Sequence, residues 1–151
     1  MENKDILLRP TSIFAFIKIL PLTFLSVVFL YLSWQLSPLL IWFSFFATIS
    51  GLYRYWYIRK LSYQITAGYI RITKGILFKR IDQVELYRVK DYVITQPPVM
   101  QMFRLMHVTL KSTDTENPVV QMMGIPRSDL IDEIRERVQQ ARRNNQIFEI
   151  N

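Results

Sequence analysis

The sequence predicts an α+β protein: an N-terminal helical hairpin of membrane-spanning character, then antiparallel strands closed by one C-terminal helix. Three observations carry this. The 35 positions from Ile19 to Tyr53 hold no ionised residue, in a 151-residue chain of net charge +7. From Leu61 to Val120 short alternating segments are separated by turn residues. After Pro126 apolar residues recur at helical spacing.

The charge-free run is broken once, by Ser33-Trp34-Gln35-Leu36-Ser37-Pro38, a polar, turn-forming stretch. It therefore reads as two helices folded back on each other, over about 13–34 and 39–57. A spanning helix needs about 20 residues for about 30 Å of hydrocarbon. Two such helices fit because Lys18 and Arg54 can snorkel to the headgroups while their stems stay in lipid. Thr11 or Ser12 supplies an N-cap, and Pro21 is of a kind that membrane helices tolerate. The first run is expected to be an uncleaved anchor rather than a leader: Glu2 and Asp5 mix with Lys4 and Arg9, no small-residue cleavage site follows, and a second apolar run comes at once.

Basic residues flank both ends of the hairpin (Lys4, Arg9 and Lys18; Arg54, Arg59 and Lys60), and none lies in the connecting loop. By the positive-inside rule both termini face the cytoplasm. Tyr53, Tyr55, Trp56 and Tyr57 mark the inner boundary and Trp34 the outer one, as an aromatic belt rather than a lipid or partner site. The expected membrane-interface residues are thus Lys18, Trp34, Tyr53, Arg54, Trp56, Tyr57, Arg59 and Lys60. No acid or histidine lies within the spans, which weakens a channel or transporter function. An oligomeric pore lined by Ser26, Ser44, Thr48 and Ser50 is the alternative.

Residues 1–60 form the expected anchor, 61–143 a folded domain and 144–151 a tail. Leu61–Thr66 and Tyr69–Phe78 alternate around an Ala67-Gly68 turn, with Gly75 a candidate bulge. Lys79–Asp82 reads as a polar break, and Val84–Thr95 as one long strand or a bent pair. Pro97-Pro98 stops it. Val99–Met106 is a connector anchored by Met102, Phe103 and Leu105. His107–Thr113 and Val119–Ile125 are strands about a turn at Asp114–Pro118. Ser128 caps a helix to about Arg143, with Leu130, Ile131, Ile134, Val138 and Ala141 on its apolar face and Asp132, Glu133, Arg135, Glu136 and Arg137 on the solvated one. Such an order of elements gives a curved sheet or partly open barrel plugged by the helix.

The chain offers little for catalysis. Cysteine is absent, which removes disulfides, thiol chemistry and cysteine-ligated metals. His107 is the sole histidine and reads as structural. Asp82, Glu85 and Asp91 have no basic or histidine partner at motif spacing, and read as a solvated, ion-paired face. No phosphate loop, HExxH helix or nucleophile elbow is present. No catalytic residue, metal or cofactor is expected. Residues 1–60 carry net +4 and residues 61–151 net +3, so positive charge is densest beside the membrane, where it attracts anionic lipid. Nucleic acid is a poor fit to the mixed charges of the second part. A second basic cluster, Arg71, Lys74, Lys79 and Arg80, surrounds the first hairpin as a candidate anionic-lipid or partner site.

An ordered set of motifs now stands out: Leu8-Arg9-Pro10-Thr11-Ser12 before the first helix, Tyr63-Gln-Ile-Thr66 with Gly75-Ile-Leu77, Leu86-Tyr-Arg-Val-Lys-Asp-Tyr-Val-Ile-Thr-Gln96, Met102-Phe-Arg-Leu105, and Gly124-Ile125-Pro126. In this order they resemble the bacterial pleckstrin-homology-like (PH-like) membrane proteins over nearly the whole chain. Met106 where glycine is frequent, and Pro97-Pro98, depart from that pattern. The resemblance implies two N-terminal transmembrane helices and a PH-like split β-barrel capped by a C-terminal α-helix, in a bacterial cytoplasmic (inner) membrane. With no catalytic constellation, the expected function is a non-enzymatic, membrane-anchored interaction module on the cytoplasmic face. Its expected partners are membrane lipids, further copies of itself and a protein or peptide. The alternatives are a small pore or transport subunit, and an anionic-headgroup-binding module.

Overall fold

The structure, a computed structural model, describes residues 5–144. The expected tail 144–151 lies outside the described residues apart from Asn144, as does Lys4 of the basic flank. Strand β1 (Ile6–Leu8) leads into helix α1 (Ser12–Gln35). A 3-10 turn at Pro38–Leu40 joins it to α2 (Ile41–Lys60). Then follow β2 (Ser62–Ile65), β3 (Tyr69–Lys74), β4 (Arg80–Glu85), β5 (Val89–Thr95), α3 (Pro98–Met102), β6 (Leu105–Ser112), β7 (Val119–Pro126) and α4 (Leu130–Asn144).

Thr11 caps α1, its hydroxyl accepting from the Phe14 N–H at 3.2 Å. The helix passes through Pro21 unbroken. Ser37 and Pro38 set the turn: the Ser37 hydroxyl accepts from Leu39 N, and Pro38 fixes the backbone for a tight start. Leu39 and Leu40 therefore belong to the turn, not to the second helix as expected. At its other end α2 runs on through Arg59 and Lys60, whose charges suit a helix C-terminus.

The two helices approach closely because small residues line their contact. Ser44, Ala47 and Gly51 are buried on one side of α2, and the Ser26 hydroxyl lies 3.1 Å from that of Ser44 and 2.7 Å from that of Thr48. Small residues and shared hydroxyls are the usual adhesive between apolar helices. A Cβ added at Gly51 would sit at ordinary contact distance, 3.8 Å, from Leu22 Cβ. Gly51→Ala is therefore expected to change stability by under about 0.5 kcal/mol.

The strands form two sheets, of order β1-β2-β3-β4 and β5-β6-β7, all antiparallel. Among the described residues they do not hydrogen-bond into one closed barrel. The 3-10 turn Leu86–Arg88 interrupts the ladder and carries the chain from one sheet to the other, so Val84–Thr95 is the bent pair. Inner faces of both sheets and the apolar face of α4 share one core, centred on Tyr63, Ile65, Ile70, Val84, Leu86, Val108 and Leu110. Tyr63 links the sheets directly, its hydroxyl accepting from Met123 N at 3.0 Å; burial pushes its phenol up to about 12. Tyr63→Phe strands that N–H and is expected to cost about 1–2 kcal/mol in thermal unfolding.

Several expectations are corrected. Strand β1 occupies a stretch expected only to flank the anchor; it pairs with β2, Leu8 opposite Tyr63. Gly75 is not a bulge but opens the β3–β4 turn, at φ 104°, where a Cβ would overlap the Phe78 carbonyl. Lys79–Asp82 is consequently not a break: β4 starts at Arg80, paired with Lys74. In the connector, α3 turns Met100 inward, while Met102 points out at 80% exposure and Phe103 is also exposed. Positions two apart on a helix differ by about 200° in direction, so Met100 and Met102 cannot both anchor. Leu105 does anchor, buried at the start of β6. Finally, Arg137 is buried rather than solvated.

Candidate functional site

The two parts of the molecule meet at the base of the helical hairpin. Phe14 and Ala15 of α1, Ile58 of α2, Met100 of α3 and Leu105 of β6 form a second buried cluster, with Tyr55 and Met123 against it. Thr11 N donates to the Gly124 carbonyl at 3.0 Å, and Gly124 N donates to His107 Nδ1 at 3.0 Å. Gly124 stands at φ 64° with the Phe14 ring where a side chain would be. Phe14 meets His107 edge to face at 5.4 Å. The hairpin is thereby docked on the β6–β7 edge.

His107 accordingly has a structural task, as an acceptor for a backbone N–H. Burial lowers its pKa below the ordinary 6.5, aided by Lys18. A base with a depressed folded value binds fewer protons folded than unfolded, so stability rises with pH between the two values. Melting temperature is expected to be level above about pH 6.5 and to fall as pH drops from there towards the lower folded value. His107→Gln keeps an acceptor that cannot titrate, and is expected to remove that dependence from melts taken between about pH 5 and 7.

The expected interface residues gather at this base, with Trp34 at the far end. Lys18 lies six residues inside the start of α1 and Arg54 six residues inside the end of α2, so each stands about 9 Å from the base. The Lys18 ammonium lies 5.6 Å from the centre of the Phe14 ring. Tyr53 and Tyr57 are one turn apart, with ring centres 6.5 Å apart; Trp56 is exposed. Arg59 donates to the Pro10 carbonyl at 3.4 Å, and Lys60 is exposed. Trp34 is 88% exposed at the tip. An apolar groove of about 650 Å³ runs along the hairpin, walled by Phe16, Leu20, Gly51, Leu52 and Phe103 among others.

The basic cluster is only partly assembled. Alternation along β3 puts Lys74 on the inner side and Arg71 on the outer one, where the Arg71 guanidinium lies over the Tyr69 ring at 5.2 Å. Lys74 and Arg80 instead converge on Asp82, at 3.3 and 2.7 Å. Burial acts to raise the Asp82 pKa, but hydrogen bonds from Arg80 and Lys74 outweigh it and hold the carboxyl below its usual 3.8. Asp82 thus cancels one of these two charges, and no sequence spacing announced it. Lys79 is exposed in the turn. Tyr57, Lys74, Gly75, Phe78, Arg80, Asp82 and Asn117 line a cleft of about 350 Å³ there.

Among the described residues no group of three or more histidine, cysteine, aspartate or glutamate side chains could hold a metal ion. One helix among them, Ser12–Gln35, is long and apolar enough to cross a membrane. In α2 the uncharged stretch is shorter, and Arg54, three aromatics, Arg59 and Lys60 fall in its last third. Neither curated proteins nor solved structures gave a match. A family model described as bacterial PH domain matches residues 12–142, from the first helix to the last. With two antiparallel sheets, a shared core and a C-terminal helix over it, the chain belongs to the bacterial PH domain family, and PH domains are generally non-catalytic modules that bind lipids or proteins.

Proposed function

We propose that the α1–α2 hairpin is embedded in the bacterial inner membrane as two spans, with both termini on the cytoplasmic side, and holds the PH-like domain against the inner leaflet as a non-enzymatic interaction module. The observation that carries this is the outer surface of the hairpin. Phe16, Leu20, Phe24, Trp42, Phe45, Phe46 and Leu52 are all more than half exposed. An apolar patch of this extent is not left to water. It is not a core helix either, since 11% of the apolar stretch of α1 is buried. The second span is supported by the uncharged start of α2, Ile41 to Tyr53, about 20 Å of helix, extended by Leu39 and Leu40, and by the matched level of Lys18 and Arg54.

The chain has no cysteine, so single cysteines report topology without background. Ser37→Cys is expected to react with an impermeant maleimide from outside the cell, and Lys60→Cys only after the membrane is opened. The reverse pattern, or labelling of both from one side, rejects the hairpin.

Self-association through the PH-like domain is part of the proposal. It is supported by the sheet edges at β1, β4, β5 and β7, since an open edge accepts a further strand or peptide. Mass measurement in nanodiscs that finds monomer at every concentration rejects it. The pore alternative gains no support: of Ser26, Ser44, Thr48 and Ser50, three bond one another inside the hairpin. Headgroup binding by Lys74, Lys79 and Arg80 keeps support from the cleft that Lys74 and Arg80 share with Tyr57 of α2, with Lys79 exposed in the adjoining turn.

A further inference from the structure

We infer that the tip of the β3–β4 hairpin, Leu77 and Phe78, dips into the bilayer leaflet beside the α1–α2 hairpin and makes a membrane contact separate from the two helices. The inference rests on the anchored arrangement proposed above.

Exposure comes first. Leu77 is 84% and Phe78 92% exposed. Turns ordinarily carry small and polar residues, as the β6–β7 turn does with Asp114-Thr115-Glu116-Asn117. Here two adjacent large apolar side chains are held out by a turn that Gly75 makes tight.

Topology supplies the direction. Strand β2 leaves α2 at Ser62 and runs away from it, and β3 returns antiparallel, Thr73 opposite Ser62. The β3–β4 turn therefore lies at the α2 end of the sheet and passes it. Leu77 stands four residues beyond Thr73, at most about 13 Å of chain. Tyr57 lies three residues before Lys60, the last residue of α2, about 4.5 Å along the helix. The two meet: Tyr57 and Phe78 line the same cleft. Tyr57 belongs to the aromatic belt at the inner boundary of the hairpin, so the tip shares its depth.

Charge supplies the occupant. Lys74, Lys79 and Arg80 flank the tip, and Asp82 offsets one of them. Glu116, across the cleft, acts on Arg80. The excess stays positive, with Lys79 in no ion pair among the described residues. An apolar wedge with a basic collar fits an anionic leaflet, where cations meet headgroups and apolar groups pass the acyl boundary. A second copy of this equally basic chain fits it less well.

The test uses the full-length chain, one copy per nanodisc of phosphatidylcholine with phosphatidylglycerol. A fluorescent probe is placed at Lys79→Cys, which leaves Leu77 and Phe78 native. Phe24→Cys in α1 marks lipid, and Ala67→Cys, exposed in the β2–β3 turn at the end of the sheet away from α2, marks water. Quenching by brominated lipid at position 79 is expected to exceed that at position 67 by at least about threefold, and to fall to the level of 67 when Leu77→Ser and Phe78→Ser are added. If position 24 is quenched and position 79 matches 67, the tip contact is wrong and the anchor stands. If none is quenched, the anchor fails and the tip with it. Shielding of position 79 from water that arises only in discs holding two or more chains assigns the tip to a second copy and overturns the inference.

Discussion

Replacing Gly124 by alanine is expected to lower stability by about 3 kcal/mol and to loosen the helical hairpin from the sheet it stands on. Two costs combine. Gly124 sits at φ 64°, where a residue with a Cβ is disfavoured by about 1–2 kcal/mol. The added carbon would also overlap the Phe14 ring and come within 2.6 Å of Phe14 Cβ. Phe14 is buried and cannot retreat without opening the cluster it shares with Ile58, Met100 and Leu105. Overpacking of that kind costs about 1–3 kcal/mol. Thermal unfolding in detergent gives the loss, and site-directed spin labels on α2 and β6 give the loosening as a broadened distance. In the Phe14→Ala background the same substitution is expected to cost less, because the overlap with the ring is gone and only the contact with the Cβ of residue 14 is left. Equal losses in both backgrounds would show that the backbone conformation, not the Phe14 ring, makes glycine necessary.

Arg137→Met is expected to cost about 3 kcal/mol. The arginine is 5% exposed on the core side of α4. Its Nη1 donates to the Ile65 carbonyl at the end of β2, 3.2 Å away, and its Nη2 donates to Glu133 at 2.9 Å. Methionine matches the stem in volume but leaves the buried carbonyl without that donor, and an unmet buried partner is dearer than the net worth of the bond. Glu133 is half exposed, so Glu133→Gln is expected to cost less than about 1 kcal/mol. Melts of the two variants check the ranking; near-equal losses would mean that the ion pair, and not the bond to the sheet, holds the helix. Arg142 on the next turn donates to the Val89 carbonyl at 2.7 Å, so α4 is fastened to both sheets by arginines as well as by its apolar stripe.

The stripe itself was legible: Leu130, Ile134, Val138 and Ala141 lie against the core as their spacing predicts. Arg137 was not, because a charged residue beside that stripe looks the same whether it ends in water or on a carbonyl of another strand. The strand runs were legible in kind but not in their joints. Ile70 and Ile72 alternate inward as expected, yet the apolar run Ile76-Leu77-Phe78 after Gly75 looks like more of the same strand and hides the turn. A left-handed glycine, not a change of pattern, ends β3. The pairing of Lys74 and Arg80 with Asp82 depends on which residues face each other across β3 and β4, and moving the turn moves that register.

By itself the sequence determined the helical hairpin, the order of strands and closing helix, and the PH-like family, because these rest on local pattern: a long stretch without charge, alternation, and helical spacing. Only the tertiary structure decided that β1 joins the first sheet, that Gly124 receives Phe14 and Asp82 receives Lys74 and Arg80, and that Leu77 and Phe78 project beside Tyr57. The first two depend on distant segments, since a contact over 50 or 100 residues leaves no period in the chain that makes it, and the last two depend on where the β3–β4 turn falls, which sets what faces Asp82 and what projects beside α2.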